Sequence, residues 1–282
     1  PPPKAGRGGE LPAARTHAAS YVRHIIAAGL LSLLVIAGYA NALANGFVWD
    51  DTYQILQNPF IRSGASWLRL FTSGVWAFSR LAASDIDYRP LQTLTYKATA
   101  QLFGFNAPAF HAISLLFHLL TTLLVYAVAW RLLRHVIPAA AAAALFALHP
   151  MHTEAVAWAS ALPELGCALF YLLAYWLFLL AEDPVNSRPR RLWLWASSCC
   201  CFFTALLWKE MALTLPLVIA VHCLLFSPKE SPWRVRVRRG LRAAIPYGAA
   251  FAVYLPLRWH ALGHLYVTQR HWQLAPGAYA AT

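Results

Sequence analysis

Charged residues are scarce in this chain of 282 residues. Only 12% of the residues are charged, whereas a soluble domain has about 25%. Hydrophobic residues make up 59% of the chain and lie in long runs. This composition excludes an ordinary soluble domain and predicts a multi-span membrane protein.

Acidic residues are the scarcer of the two charged classes. The chain has 11 Asp and Glu against 23 Lys and Arg, which gives a net charge of +12. On a soluble protein this excess would indicate a nucleic-acid partner. Here most cations lie in short segments between apolar runs, where they set the orientation of the spans. We therefore expect no nucleic-acid partner.

Cysteine motifs and repeats are also missing. The five cysteines have no CxxC spacing and lie inside apolar runs, where cysteine behaves as a small hydrophobic residue. They therefore indicate neither a zinc site nor a redox compartment. No repeat with a period of 20–50 residues is visible, so the sequence shows no solenoid of its own.

Seven apolar segments predict an all-α membrane protein. The fifth and sixth are separated only by Lys209-Glu210 and should form a helical hairpin. Ala42-Leu43-Ala44 resembles a signal-peptide cleavage site, but the preceding run is longer than the roughly 7–15 residues of a signal core, which favours an uncleaved anchor. The segments are 24–44, 109–130, 137–149, 164–181, 192–208, 211–227 and 243–258.

The chain divides into three predicted parts. Residues 1–22 are rich in Pro, Gly and Ala and are expected to be a disordered tail. Residues 23–258 form the transmembrane domain, and 259–282 are expected to be an extracytoplasmic loop. Placing the N-terminus inside puts fifteen of the 23 cations on the inner side and seven of the eleven acids outside.

The first outer loop, 45–108, is the longest connection, and long loops are usually functional or contain helices. Within it, residues 90–104 have apolar side chains at Leu91, Leu94, Ala98 and Leu102. This spacing predicts an amphipathic helix on the membrane surface.

The paired acids Asp50 and Asp51 follow directly on the first span, in "NGFVWDDTYQILQNP" (45–59). A carboxylate at the membrane boundary is partly desolvated, which raises its pKa toward that of a usable base. The alternative is a pair of capping acids at the end of a span. Further along the loop, Arg89 in "DYRPL" could hold a lipid-linked phosphate, or pair with Asp85 or Asp87.

Two further motifs fall on the outer side. "LHPMHTEAVAW" (148–158) carries His149, His152 and Glu154, for which a polar pocket wall is favoured over a metal site because Pro150 disrupts the spacing. "LLWKEMALTLP" (206–216) places Lys209 and Glu210 inside an apolar stretch, as either a functional pair or a solvated turn. The segment 255–264 adds Arg258, His260 and His264.

Together these motifs resemble the transmembrane O-mannosyltransferases with tetratricopeptide repeats, from about Gly46 to Leu257. The resemblance implies a multi-span GT-C-like helical bundle that uses a polyprenyl- or dolichyl-phosphate sugar on the extracytoplasmic face, with mannose as the expected sugar. It implies inverting transfer to Ser/Thr hydroxyls of a protein acceptor. Asp50 matches the general base and Asp51 its partner.

The remaining roles follow from charge. A phosphate leaving group needs a positive clamp, for which Arg89, Lys209 and Arg258 are candidates. His149, His152, Glu154 and Glu210 are candidate substrate-binding residues. No metal or other cofactor is expected, because related enzymes with monophosphate donors need none.

Two alternatives differ in class: a non-catalytic membrane scaffold for a repeat domain, and a transporter of lipid-linked substrates. A transporter typically places its charges at the bilayer midplane, whereas these motifs collect at the outer interface. The resemblance implies the bacterial inner membrane, or the endoplasmic reticulum membrane in a eukaryote. Because family members continue into repeats that are not visible here, we expect a chain truncated before them.

Overall fold

The computed structural model describes residues 12–62, 66–79, 87–228 and 230–263, with side chains from Tyr21 onward. Every regular element in these ranges is helical, which confirms the predicted all-α class. The ten α-helices are α1 (Pro12–Tyr39), α2 (Pro59–Arg62), α3 (Pro90–Phe103), α4 (Ala107–Leu133), α5 (Val136–Ala147), α6 (His152–Ala157), α7 (Leu162–Ala181), α8 (Arg188–Trp208), α9 (Leu215–Phe226) and α10 (Trp233–Leu262).

Each of the seven predicted spans coincides with a helix. Four helices are long and apolar enough to cross a membrane, and they lie within 21–44, 107–133, 159–181 and 188–208. α5 and α9 have only 12 residues each. At about 1.5 Å per residue, such a helix covers about 18 Å of a hydrocarbon core that is about 30 Å thick. The crossing of the membrane by α5, α9 and α10 stays a prediction.

Both predicted boundaries of the transmembrane domain differ from the helix ends. α1 begins at Pro12, so part of the tail expected to be disordered is helical. The Ala-rich stretch that follows Pro12 has high helix propensity and extends the helix before the candidate span at 21–44, and Pro is favoured in a first turn. α10 continues beyond 258 to Leu262 and ends at Gly263, whose φ of 75° suits glycine. Residues 1–11 and 264–282 lie outside the described residues.

The helices pack as hairpins. α7 lies against α8, α9 against α10, and α4 against α5, while α1 contacts both α4 and α5. α5 can approach its neighbours closely because Ala139, Ala143 and Ala147, spaced four residues apart, are fully buried. The Lys209-Glu210 break is a single 3₁₀ segment, Glu210–Thr214, between α8 and α9. The predicted hairpin of these two helices is wrong, because α8 and α9 do not pack along each other and each packs against α10 instead.

The first outer loop is folded onto one end of this bundle. It contains a π-helical turn (Thr52–Leu56), α2, a 3₁₀ turn (Trp67–Thr72) and α3. The predicted helix over 90–104 is confirmed by α3, but it is the polar side of α3 that is buried. Gln92 donates to Gln54, Tyr96 donates to the Ala159 carbonyl at 2.8 Å, and Lys97 donates to the Phe60 carbonyl at 2.9 Å. Leu102, on the other side, is exposed.

Candidate active site

A turn with a left-handed backbone conformation precedes the two neighbouring acids. Trp49 adopts a φ of 48°, which is uncommon for any residue other than glycine. Its ring lies edge-on to that of Trp158, with centroids 6.5 Å apart. From this turn Asp50 and Asp51 diverge, one toward a cavity and the other into the protein.

Asp51 is fully buried and holds two distant segments together. One carboxylate oxygen accepts hydrogen bonds from the Ser160 amide at 2.7 Å and from the Ser160 hydroxyl at 2.5 Å. The other oxygen accepts from the Val48 amide at 3.0 Å. Charge-assisted hydrogen bonds of this kind compensate the cost of burying a carboxylate. Asp51 therefore anchors the loop to the turn that precedes α7.

Asp50 instead lines a cavity of about 540 Å³. Its nearest recorded partner is the Gln54 side-chain amide, 3.5 Å from one carboxylate oxygen. Partial burial, with the negative charges of Asp51 and Asp87 nearby, raises the pKa of Asp50 above its ordinary value. Asp50 is thus a stronger base than an exposed aspartate and is within reach of a molecule in the cavity.

The cavity lies between the outer loop, the middle of α4, the end of α5, α6 and the beginning of α7. Its wall combines acids, one arginine, two histidines and three aromatic rings, which suits an amphipathic ligand with hydroxyl groups. The polar and aromatic lining residues are Asp50, Gln54, Trp76, Asp87, Arg89, His118, Thr121, Phe146, His152, Glu154, Trp158, Ser160 and Glu164.

Arg89 enters this wall immediately before α3. Its Nη2 atom lies 2.7 Å from Asp87 and 3.6 Å from Glu210. Its Nε atom is buried and has no hydrogen-bond partner among the described residues. Tyr88 holds the segment in place by donating to the Phe71 carbonyl at 2.8 Å. The guanidinium therefore bridges two acids from separate motifs.

Lys209 and Glu210 lie behind the cavity wall. Lys209 forms an ion pair with Glu164, which does line the cavity, and Glu210 contacts Arg89. The carbonyl of Lys209 also accepts a weak contact from the Cys167 thiol at 3.7 Å. The break between α8 and α9 is thus tied to two motifs far away in sequence, and Lys209-Glu210 is an ion-paired element of the site.

The fold places only part of the histidine motif (148–158) in the cavity wall. His152 and Glu154 line the cavity, whereas His149 is exposed and its ring centroid lies 6.0 Å from that of His152. Burial, with the nearby His149, lowers the pKa of His152, so its neutral form is favoured. Within the described ranges no group of three His, Cys, Asp or Glu side chains is arranged to hold a metal ion.

Arg258 approaches the same region from α10 without lining the cavity. Its guanidinium lies 3.4 Å from the Tyr254 hydroxyl, and the Tyr254 ring is 5.8 Å from that of Tyr88. His260 is exposed at the end of α10, and His264 lies outside the described residues. Of the three predicted clamp cations, only Arg89 reaches the cavity.

Sequence reasoning missed His118, which α4 places in the cavity wall. The residue is fully buried, and its Nε2 atom lies 3.0 Å from the Ala147 carbonyl. Its ring centroid is 5.4 Å from that of His152. A signal was available, because an ionisable side chain inside a long apolar run is rare and often functional. Gln54 was also missed, although it lies within the quoted acidic stretch.

The fold and the site together define a class: a multi-pass membrane protein in which an acid and an arginine of the outer loop, Asp50 and Arg89, line one cavity. The chain matches the family model of dolichyl-phosphate-mannose-protein mannosyltransferases over residues 88–257 and belongs to that family.

Curated relatives point the same way. The chain is 38% identical over 186 residues to the protein O-mannosyl-transferase Tmtc2 of Drosophila melanogaster, covering 65% of this chain and 20% of the relative. It is 31% identical over 200 residues to human TMTC2, covering 70% and 24% respectively. With human TMTC1 it shares 38% identity over 153 residues, covering 53% and 17%. The chain thus spans a quarter or less of these relatives, and no solved structure matches it significantly.

Proposed function

We propose that this chain is the catalytic membrane part of a protein O-mannosyltransferase. It would transfer mannose from a polyprenyl- or dolichyl-phosphate donor to Ser/Thr hydroxyls of a protein acceptor. The observation that carries the proposal is that Asp50 and Arg89, a base with a raised pKa and a guanidinium, line one cavity. The family description names the donor class.

Asp50 is the general base of this reaction. It accepts the proton of the acceptor hydroxyl while that oxygen attacks the anomeric carbon of the donor sugar. The bond from the anomeric carbon to the phosphate oxygen breaks, and the lipid phosphate leaves with the electron pair. One displacement of this kind inverts the anomeric centre. Burial and two nearby acids strengthen the base because they disfavour its charged form.

Asp51 has a positioning role in this proposal. Both of its oxygens are occupied by hydrogen bonds from Ser160 and Val48. It fixes the turn from which Asp50 projects and contributes negative charge that raises the pKa of Asp50.

Arg89 is the leading candidate for the donor-phosphate contact. A guanidinium suits a phosphate because its fork of N–H donors matches two phosphate oxygens. Asp87 and Glu210 hold the group at the wall before the donor arrives. Lys209 and Arg258 would support the positive potential from outside the cavity, and His152 and Glu154 would contact sugar hydroxyls.

One substitution distinguishes an enzyme from the scaffold and transporter alternatives. Asp50→Asn should abolish most mannose transfer, by about 10²- to 10⁴-fold for a positioned base, without preventing assembly in the membrane. The assay measures transfer from dolichyl-phosphate mannose to a Ser/Thr peptide, using the full-length protein in lipid. Glu154→Gln, in the same cavity wall, is the matched control and should cost less. Near-parent rates for Asp50→Asn would contradict the mechanism.

By the same family relationship we propose that the protein resides in the endoplasmic reticulum membrane with the cavity on the luminal side. The cation-rich segments then face the cytoplasm, as the charge asymmetry of the sequence predicts.

A further inference from the structure

A second large cavity lies at the opposite end of α1 from Asp50. It is a groove of about 1180 Å³ between α1, the end of α4 and the beginning of α5, here called the α1–α5 groove. Its walls are apolar over most of their length, with Ile26, Leu30 and Leu34 on one side and Ala140 and Ala144 on the other. None of the residues that line it belongs to the candidate active site.

The shape of the groove follows from the sequence of α5. Ala139 and Ala143 are buried against neighbouring helices, so the adjacent alanines present only methyl groups beside the longer side chains of α1. This difference in size leaves a trough. From Arg23 to Leu34 the trough follows eleven residue steps of α1, about 17 Å at 1.5 Å per step. That length suits an extended hydrocarbon chain.

The mouth of the groove, by contrast, is cationic. Arg23 and Arg134 line it and are exposed, and neither forms an ion pair with another described residue. Arg131, only three positions before Arg134, is instead paired with Asp183 at 2.9 Å. No described acid lines the groove. The mouth therefore carries uncompensated positive charge at the level where α1 leaves the apolar layer.

The beginning of α5 adds a second source of positive potential at this mouth. His135 occupies the N-cap position without a side-chain hydrogen bond to the helix, and the first-turn residues Val136 and Ile137 line the groove. The free amides of a first helical turn favour an anion. Two guanidiniums and a helix N-terminus thus converge above an apolar trough.

We propose that the α1–α5 groove is a binding site for an anionic phospholipid of the inner leaflet, on the side of the membrane where the cation-rich segments of the protein lie. The phosphate and the net negative headgroup lie between Arg23 and Arg134, and an acyl chain lies along α1 and the alanines of α5. Charge complementarity selects an anionic over a zwitterionic headgroup, because a choline ammonium would be placed beside the same two guanidiniums. The site is independent of the proposed transfer reaction.

Native mass spectrometry of the full-length protein tests this site. Delipidated protein is titrated with phosphatidylserine or phosphatidylcholine, and the two association constants are compared. The parent should prefer phosphatidylserine. Each arginine near the surface contributes about 1 kcal/mol to binding an anionic lipid, so Arg23→Gln and Arg134→Gln should each lower that preference about fivefold. The pair Arg188→Gln/Arg190→Gln, exposed arginines of the same side, is the matched control.

A second variant tests the apolar part separately. Ala144→Phe fills the trough and keeps every charge, so it should weaken the binding of both lipids, while the thermal unfolding curve verifies folding. The proposal is overturned if the parent shows no preference for phosphatidylserine, or if the control pair lowers the preference as much as the groove arginines do. It is equally overturned if Ala144→Phe folds and binds both lipids as the parent does.

Discussion

Replacing Asp51 with asparagine should destabilise the protein, whereas the same change at Asp50 should not. Asp51 is fully buried and accepts three hydrogen bonds, two from Ser160 and one from Val48. Asparagine keeps the size of the side chain but has one accepting oxygen and one amide group that only donates. It therefore cannot satisfy both backbone amides.

The magnitude follows from the group left without a partner. If the asparagine oxygen accepts from the Ser160 amide, the Val48 amide faces another donor. A buried polar group left unsatisfied costs about 1–3 kcal/mol. We therefore expect Asp51→Asn to lower the free energy of unfolding by about that amount, and to lower the transfer rate only as far as the turn at Trp49 shifts.

Asp50→Asn is the matched control. The pKa of Asp50 in the parent determines whether this substitution raises or lowers the free energy of unfolding. The raised pKa of Asp50 means that the folded state favours its protonated form. The protonated Asp50 side chain therefore contributes to stability at a pH below the pKa that Asp50 has in the unfolded chain. This contribution is lost as the pH rises through the pKa that Asp50 has in the folded protein. At neutral pH, removing this carboxylate should leave stability unchanged or slightly increased.

Thermal unfolding of the full-length protein in one detergent, at neutral pH, measures both variants against the parent. Transfer assays on the same preparations supply the second readout. The reasoning is refuted if Asp51→Asn unfolds like the parent, or if Asp50→Asn is the less stable of the two. Equal losses of stability would show that the two acids are not divided between anchoring and catalysis.

Three further predictions concern the charge and packing of the site. Arg89→Lys should weaken donor binding in a dolichyl-phosphate-mannose titration, since a point charge replaces a fork of donors; unchanged affinity would move the phosphate contact elsewhere. The transfer rate should fall as the pH drops through the raised pKa of Asp50, at a higher pH than for an exposed aspartate, and Asp50→Asn should remove this limb from the pH profile. Gly166→Ala should destabilise by about 1–3 kcal/mol in thermal unfolding, because a Cβ there would overlap the Trp208 ring; parent-like stability would show that the ring can move.

Much of the architecture could be predicted from the sequence. All seven apolar runs coincide with helices, because a long apolar segment in a membrane must satisfy its backbone internally. The break at Lys209-Glu210 and the helix that follows Arg89 were also predicted correctly, whereas the predicted packing of α8 against α9 was wrong. The motifs, in their order, indicated the family that the comparisons then established. These features are local or depend on composition, so a single sequence contains them.

Only the tertiary structure separated Asp50 from Asp51. The two acids are adjacent and chemically identical, so no local pattern distinguishes them. Their difference depends on Ser160, which donates to Asp51 across 109 positions of the chain. The sequence did not predict His118 as a site residue for a similar reason, because its position in the cavity wall requires α6 to pack beside α4. Contacts between residues distant in sequence determine burial, and burial determines which carboxylate is an anchor and which is available as a base.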